Sequence, residues 1–347
     1  MRSIPAGGLP MSTLEWAMVG AALLLVLLVA AGYTLERVAE ARDQRRFPPP
    51  GRLVDIGGRH LHLACLGSGP GPTVLIEQGA GSPSITWWPV QARVANFARV
   101  CTYDRAGYLW SDPAPPGRSL VDRVADLRAL LERAELAPPY VLVAHSFGGF
   151  LARAYARAHP EEVAGMVLVD SPHESTVLQP AFMSYLRQGV RIQAVVAGAA
   201  RLGLVRLFGR RLPMLLLPDH PAGYALCARP RHAQLFADDL QSLLAAWTML
   251  RAPGGLGSLG DRPLSVLTHG IPFPGAAKAA EEGWQEGERK LAALSSNSEL
   301  VVATRSNHMI YLDEPEVVVE AIRRVHAAAI HAARHAVTSS AADSRPA

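Results

Sequence analysis

Apolar and polar positions divide the chain into zones. From Trp16 to Leu35 the run WAMVGAALLLVLLVAAGYTL carries no charge, and Glu15 and Glu36 bracket it. As a helix rising about 1.5 Å per residue it would be roughly 30 Å long, the thickness of a bilayer's hydrocarbon core. Trp16 and Tyr33 stand near its ends, where amphipathic rings favour the headgroup region, and the run has no polar face of the kind a core helix shows. Residues 16–35 therefore read as a transmembrane anchor behind an N-terminal segment, 1–15. The competing reading is a cleaved signal peptide with Ala39-Glu40-Ala41 as its site. The single Arg2 ahead of the run and the run's length favour an uncleaved anchor. Arg37, Arg42, Arg45 and Arg46 follow the span, and the positive-inside rule then puts the bulk of the chain in the cytoplasm.

Residues 36–50 form a charged linker ending in Pro48-Pro49-Pro50, a stiff spacer. A globular region follows, 51–335. Its strands are expected at 52–56 and 59–65, a hairpin about Gly57-Gly58, and then at 73–78, 99–103, 140–144, 163–169, 264–268 and 300–304. Helices are expected at 86–97, 120–134, 147–159, 276–294 and 315–335. Apolar runs without alternation, separated by helices, predict a mostly parallel sheet covered on both faces. The alternation lapses over 173–258, where apolar helical patterns predict an inserted cap. The small, polar segment 336–347 reads as a disordered tail.

Composition trims the possibilities. Of 347 residues 49% are hydrophobic and 18% charged, with a net charge of +4, which excludes a disordered chain. Three cysteines cannot pair fully, so a disulfide scaffold is excluded too. Cys65 and Cys101 read as buried small residues, compatible with a reducing compartment. Two lysines stand against 32 arginines, spread among acids rather than gathered in a stripe, so no nucleic-acid partner is expected. The slightly positive mean hydropathy is largely the work of residues 16–35 and the cap.

The chemistry centres on Val141-Leu142-Val143-Ala144-His145-Ser146-Phe147-Gly148-Gly149. An apolar strand runs straight into a serine and then into a helix opening with two glycines, the strand–turn–helix setting of a nucleophile elbow, with Ala144 where glycine is usual. His308 lies in a loop between the last strand and the last helix. The order Ser146, acid, His308 is that of α/β-hydrolases. With Glu77-Gln78-Gly79-Ala80-Gly81, with Tyr103-Asp104-Arg105-Ala106-Gly107-Tyr108 and Ser111, and with His308 followed by Tyr311-Leu312-Asp313-Glu314-Pro315, residues 51–335 resemble the α/β-hydrolase fold.

That resemblance implies Ser146 as nucleophile, His308 as base, and the backbone N–H groups of Ala80 and Phe147 as oxyanion donors. The strand at 264–268 is followed by His269-Gly270-Ile271-Pro272-Phe273, without the aspartate many members carry there. Asp170, at the end of the preceding strand, is the expected acid, with Glu174 second and Asp261, Glu281 and Glu282 the other acids near that strand. Cofactor and metal are not expected: His60 and His62 lack a third ligand, and Gly67-Ser68-Gly69-Pro70-Gly71 lacks the Lys-Ser/Thr of a phosphate loop. The implied reaction is ester or thioester hydrolysis through an acyl-enzyme. Lactonase, acyltransferase, perhydrolase and carbon–carbon hydrolase chemistry, or non-catalytic binding, are the alternatives. Phe182, Leu202, Leu204, Val205, Leu207, Phe208, Met214, Leu215, Leu216, Leu217, Trp247 and Met249 in the cap either pack on the core or line a pocket for a lipophilic acyl substrate.

Overall fold

The computed structural model describes residues 12–211, 218, 220–252, 254–273 and 278–343. Eight strands form one sheet: β1 (Arg52–Asp55), β2 (His60–Leu66), β3 (Thr73–Glu77), β4 (Val100–Tyr103), β5 (Tyr140–His145), β6 (Val163–Val169), β7 (Leu264–His269) and β8 (Ser298–Ala303). Their spatial order is β1-β2-β4-β3-β5-β6-β7-β8. The hairpin β1–β2 and the β2–β4 pair are antiparallel, and every later pairing is parallel. Each residue of β3, β4 and β5 is buried, as unalternating apolar runs require in a sheet covered on both sides.

The helices in chain order are α1 (Thr13–Arg46), α2 (Trp88–Val94), α3 (Leu120–Arg133), α4 (Gly148–Ala158), α5 (Glu174–Val177), α6 (Pro180–Arg201), α7 (Leu204–Phe208), α8 (Pro221–Cys227), α9 (Pro230–Ala245), α10 (Trp247–Arg251), α11 (Lys278–Ala292), α12 (Ile310–Asp313) and α13 (Pro315–Asp343). One apolar layer joins the sheet to α3 and α4, around Leu127, Leu130, Phe150, Leu151 and Tyr155. The other joins it to α2 and α13, around Val90, Val94, Val318, Ile322 and Val325. Helices α5 to α10 sit between β6 and β7 and form the cap.

Four expectations change. Helix α1 begins behind a capping box, in which the Ser12 hydroxyl accepts from the Glu15 backbone while Glu15 reaches back to the Ser12 backbone. It does not end with the uncharged run at Leu35. Residues 36–46 contain no proline or glycine, so the helix carries on through most of the expected linker. It is long and apolar enough to cross a membrane.

Cys65 and Cys101 are not separate small residues. They are register partners across β2 and β4, with Cα atoms 4.0 Å apart, and form a disulfide. Their strands are neighbours in space though not in sequence, and linear inspection does not reveal that pairing. The segment expected as a disordered tail is helical as far as Asp343, as the end of α13. The expected helix over 86–97 becomes a 3₁₀ turn, Ser84–Trp87, followed by α2. Met214 to Leu217 and the side chain of Trp247 lie outside the described residues.

Candidate active site

The site is built at the carboxyl ends of β5, β6 and β7, where an open α/β sheet offers a crevice. Ser146 follows β5 with φ of +51°, a left-handed backbone that a non-glycine residue adopts at a cost of about 1–3 kcal/mol. The surroundings impose it. The Ser146 N–H donates to the Val169 carbonyl (3.1 Å), and α4 begins two residues later. Glycine is needed at 148 by close approach, because a Cβ there would lie 2.6 Å from the Glu77 carbonyl oxygen and 2.7 Å from that of Gln78. Ala144 is tolerated at the position where glycine is usual, buried in β5.

Asp170 repeats the device one strand over. Its φ is +46°, and its N–H donates to Leu267 O at 2.7 Å. The turn aims the carboxylate across the strand ends, and it is fully buried. His308 stands in the loop between β8 and α12. Asn307 Oδ1 accepts from the Met309 N–H at 3.1 Å, and the Ser306 carbonyl accepts from the N–H groups of Gly270 (3.2 Å) and Ile271 (3.0 Å).

The three residues form one hydrogen-bonded line. His308 Nε2 is 3.0 Å from Ser146 Oγ, and His308 Nδ1 is 2.6 Å from Asp170 Oδ2. A carboxylate only accepts, so Nδ1 carries the proton and Nε2 offers its lone pair to the serine hydroxyl. The imidazole is further fixed by His145, whose Nε2 donates to the His308 carbonyl at 2.9 Å. Burial, then the nearby His308, pull the His145 pKa down to about 3, so it stays neutral.

Glu174, the second candidate acid, is engaged elsewhere. Arg153 grips it through two bonds of 2.7 Å, and it accepts from the Leu256 N–H at 3.0 Å.

Sequence reading did not single out His269 as a partner of Asp170. It stands at the end of β7, beside the position where the usual aspartate is missing. Its Nδ1 lies 2.7 and 2.8 Å from the two oxygens of Asp170, and its Nε2 lies 2.9 Å from Glu281 Oε1. Both ring nitrogens face carboxylates, and only an imidazolium donates from both. Burial works against that charge, but Asp170 and then Glu281 outweigh it and raise the His269 pKa. For Asp170, burial pushes upward, and the bonds from His269 and His308 prevail and hold it at about 2. Trp284 Nε1 adds a 3.1 Å bond to Asp170 Oδ1. The signal in the sequence was a histidine ending the strand after which the usual acid is missing.

The loop 77–81 passes over the start of α4. A Cβ on Gly79 would lie 3.4 Å from Ser146 Cβ, so the backbone leading to Ala80 runs beside the serine. Arg105 holds that loop. Its Nη1 donates to Glu77 Oε1 (2.6 Å) and the Gln78 carbonyl (2.7 Å), and its Nη2 to the Gly79 carbonyl (2.8 Å) and Asp239 Oδ2 (2.8 Å). Asp239, on α9, also accepts from Tyr108 OH at 2.6 Å and pairs with Arg123 at 2.9 Å. Sequence reading found Arg105 and missed Asp239, because the cap segment carries no spacing rule that points one acid inward.

Around the line stand aromatic rings. Phe273 and Trp284 have centroids 5.4 and 5.8 Å from His308, and Phe182, on α6, lies 6.2 Å from Trp284. Gly81 abuts Phe236 of α9. Of the cap residues expected to face a pocket, only Phe182 is brought to this group among those described. Leu204, Leu207 and Phe208 are exposed on the far side of the cap. His62 bonds Asp104 at 2.8 Å, and His60 bonds Asp112 at 3.0 Å on the surface.

Residues 73–321 match the Alpha/beta hydrolase family. An uncharacterised protein of Bacillus subtilis (strain 168), YqjL, is 30% identical over 278 residues, covering 80% of this chain and 92% of its own length. The chain belongs to the alpha/beta hydrolase family. Two solved structures share the fold. A thermophilic esterase from Thermogutta terrifontis has a TM-score of 0.57 at 21% identity, covering 79% of this chain and 98% of its own. The enol-lactonase from Burkholderia xenovorans LB400 has a TM-score of 0.58 at 18% identity, covering 79% and 99%. Several further curated relatives are longer proteins, and the match covers 53% of one and 21% of another.

Proposed function

We propose that the chain is a membrane-anchored serine hydrolase that cleaves a lipophilic carboxylic ester or thioester through an acyl-enzyme. The observation that carries this reading is the unbroken line from Ser146 Oγ through His308 to Asp170, with steps of 3.0 and 2.6 Å. Ser146 Oγ attacks the acyl carbon while His308 Nε2 takes its proton. Asp170 stabilises the resulting imidazolium without taking the proton itself. The backbone N–H groups of Ala80 and Phe147, beside the positive end of α4, hold the oxyanion; losing one such donor typically costs about 2.7–4 kcal/mol. His308 then passes its proton to the leaving alcohol or thiol. Water, deprotonated by His308, cleaves the acyl-enzyme and returns the serine.

Phe182, Phe236, Phe273 and Trp284 favour an apolar acyl group over a charged one. The test is a chain-length series of nitrophenyl esters. The expected result is turnover that rises with acyl length and vanishes in Ser146→Ala. Equal rates for wild type and Ser146→Ala across the series would reject the reading.

We further propose that the hydrolase domain faces an oxidising compartment. The arginine count after the span points to the cytoplasm, but the Cys65–Cys101 disulfide supports the opposite side, since lasting disulfides are rare in reducing cytosol. Alkylation of protein from intact cells should leave both cysteines unmodified until a reductant is added. Full alkylation without reductant would restore the cytoplasmic assignment.

A further inference from the structure

Helix α1 is fixed on the domain rather than tethered to it. Arg206 grips Glu36 through bonds of 2.8 and 2.7 Å and reaches Asp43 at 2.8 Å. Trp110 Nε1 donates to the Phe47 carbonyl at 2.8 Å, and Arg229 reaches the Glu40 carbonyl at 3.4 Å. The depth of α1 in a bilayer therefore sets the depth of whatever packs beside it.

What packs beside it is the corner between α6 and α7. The chain bends there by 94°, through Gly203 at φ of +72°. The Leu202 carbonyl sits so close to Gly32 that a Cβ on Gly32 would lie 2.8 Å away. Gly32 stands four residues inside the charge at Glu36, roughly 6 Å below the edge of the apolar span at about 1.5 Å per residue. Between the helices runs a groove of about 660 Å³, lined by Leu25, Val26, Val29, Ala30 and Tyr33 of α1 and by Gly198, Arg201 and Leu202 at the corner. Leu25 is roughly 16 Å below that edge on the same rise.

The rest of the corner is apolar and uncovered. Val195 is 73% exposed and Leu207 69%, and Ile192, Leu204 and Phe208 are exposed with them. Leu204, Leu207 and Phe208 are spaced three and four residues apart, on one side of α7, and Arg210 and Arg211 follow, exposed, beside them. Apolar side chains flanked by arginines are the arrangement of a helix lying in a membrane interface. In water this face would lie open; Gly198 and Leu202 at its edge stand beside residues 25–33 of α1, and α7 runs from there to the level of Glu36 and Asp43, where the apolar span ends.

We propose that the α6–α7 corner is embedded in the same leaflet as the domain-proximal half of α1, with phospholipid acyl chains filling the groove between them and Arg210 and Arg211 at headgroup level. The inference rests on reading α1 as an anchor. It also gives the cap a task. Helix α6, roughly 33 Å long by its rise, carries Phe182 near one end, beside the aromatic group around His308, and Gly198 at the other, beside the apolar span of α1. A lipophilic ester dissolved in the leaflet then meets the cap before it meets water.

The native thiols do not interfere with spin labelling, because Cys65 and Cys101 are bonded and Cys227 is buried. Full-length protein carrying one nitroxide label, at Val195→Cys, Leu207→Cys, Leu28→Cys or Val121→Cys, is reconstituted in phosphatidylcholine vesicles containing a minority of phosphatidylglycerol. Val121 is an exposed position on α3, a helix that packs on α4 and β1. The expected result is that labels at 195, 207 and 28 collide more with oxygen than with a water-soluble nickel chelate, and that the label at 121 does the reverse. Labels at 195 and 207 that behave like the one at 121, with 28 still in lipid, would overturn the embedding and leave the anchor standing. A water-exposed label at 28 would overturn both. Spin–spin broadening at 207 that disappears on dilution would assign the face to a second copy of the chain instead. None of these readings depends on catalysis, so a failure of the esterase reading is seen separately.

Discussion

The strand-end half of the molecule and its cap–anchor half treat charge and apolar surface in opposite ways. At the strand ends charges are buried and given several partners each: Asp170 has His269, His308 and Trp284, and Arg105 has Glu77, Asp239 and two carbonyls. At α1, charge forms a clamp from Arg206 to Glu36 and Asp43, joined by Arg229 on the Glu40 carbonyl, while large apolar side chains of α6 and α7 stand uncovered. A buried charge without partners is costly, so the first arrangement is rigid by necessity. Uncovered apolar surface on the second half is what a face that meets lipid or another chain presents. Under the proposed function the two halves divide the labour: strand-end residues would set reactivity, and the α1–cap contacts would set where substrate is met.

Variants on the strand-end side should therefore lower turnover on every substrate. The largest effect is expected from Asp170→Asn, which turns the His308 ring toward the wrong tautomer and should cut kcat on a soluble ester by roughly 10⁴-fold. Activity within threefold of wild type would break the comparison at its strongest point. Asp239→Asn comes next. It leaves Arg105 buried with one fewer anion and frees the oxyanion loop from α9, and a lost charge-assisted bond of about 1.5–3 kcal/mol corresponds to a fall of about 10–100-fold in kcat. A change in KM alone would mean that Asp239 serves the cap and not the loop.

His269 sharpens the same side through pH. Its pKa is raised from an ordinary 6.5. A raised value means that its contribution to stability is full below about 6.5 and is lost as pH rises through the folded-state value. Thermal unfolding followed from pH 6 upward should show wild type losing this increment and His269→Gln lacking the slope. Asp170 has the opposite sign: its contribution is present above its ordinary 3.8 and fades as pH falls through about 2.

The disulfide sits apart from both halves, on the antiparallel edge. It closes a 36-residue separation, for which the chain-entropy argument gives about 4 kcal/mol. The double variant Cys65→Ser/Cys101→Ser should lose stability of that order in denaturant unfolding and keep its kcat. The smallest effect belongs to the anchor. Arg206→Ala should leave soluble-ester kcat near wild type and lower hydrolysis of a vesicle-borne ester by a few-fold, since it removes a clamp of about 1.5–3 kcal/mol while Trp110 and Arg229 still hold α1. Equal losses on both substrates would erase the distinction between the halves.

The strand-end half was largely legible in the sequence. Unalternating runs mark buried strands, and Ala144-His145-Ser146-Phe147-Gly148 is a local motif whose sharp turn is dictated by its neighbours. Asp170 could be chosen because the usual acid position after β7 was empty. The rest depends on packing between distant segments. Cys65 and Cys101 pair because β2 lies beside β4. Asp239 turns inward because Arg105, Arg123 and Tyr108 converge on it. The far part of helix α1 is held on the domain because Glu36 and Asp43 find Arg206, 170 and 163 residues away. No periodicity announces such encounters.

The central claim is that Ser146 is activated by His308 and Asp170, and labelling with a fluorophosphonate tests it most directly. Intact-protein mass spectrometry of the full chain should show one adduct, mapped to Ser146, forming rapidly in wild type and orders of magnitude more slowly in His308→Ala and Asp170→Asn. A folded wild-type protein that takes up no label, or one labelled equally fast without His308, would contradict the account.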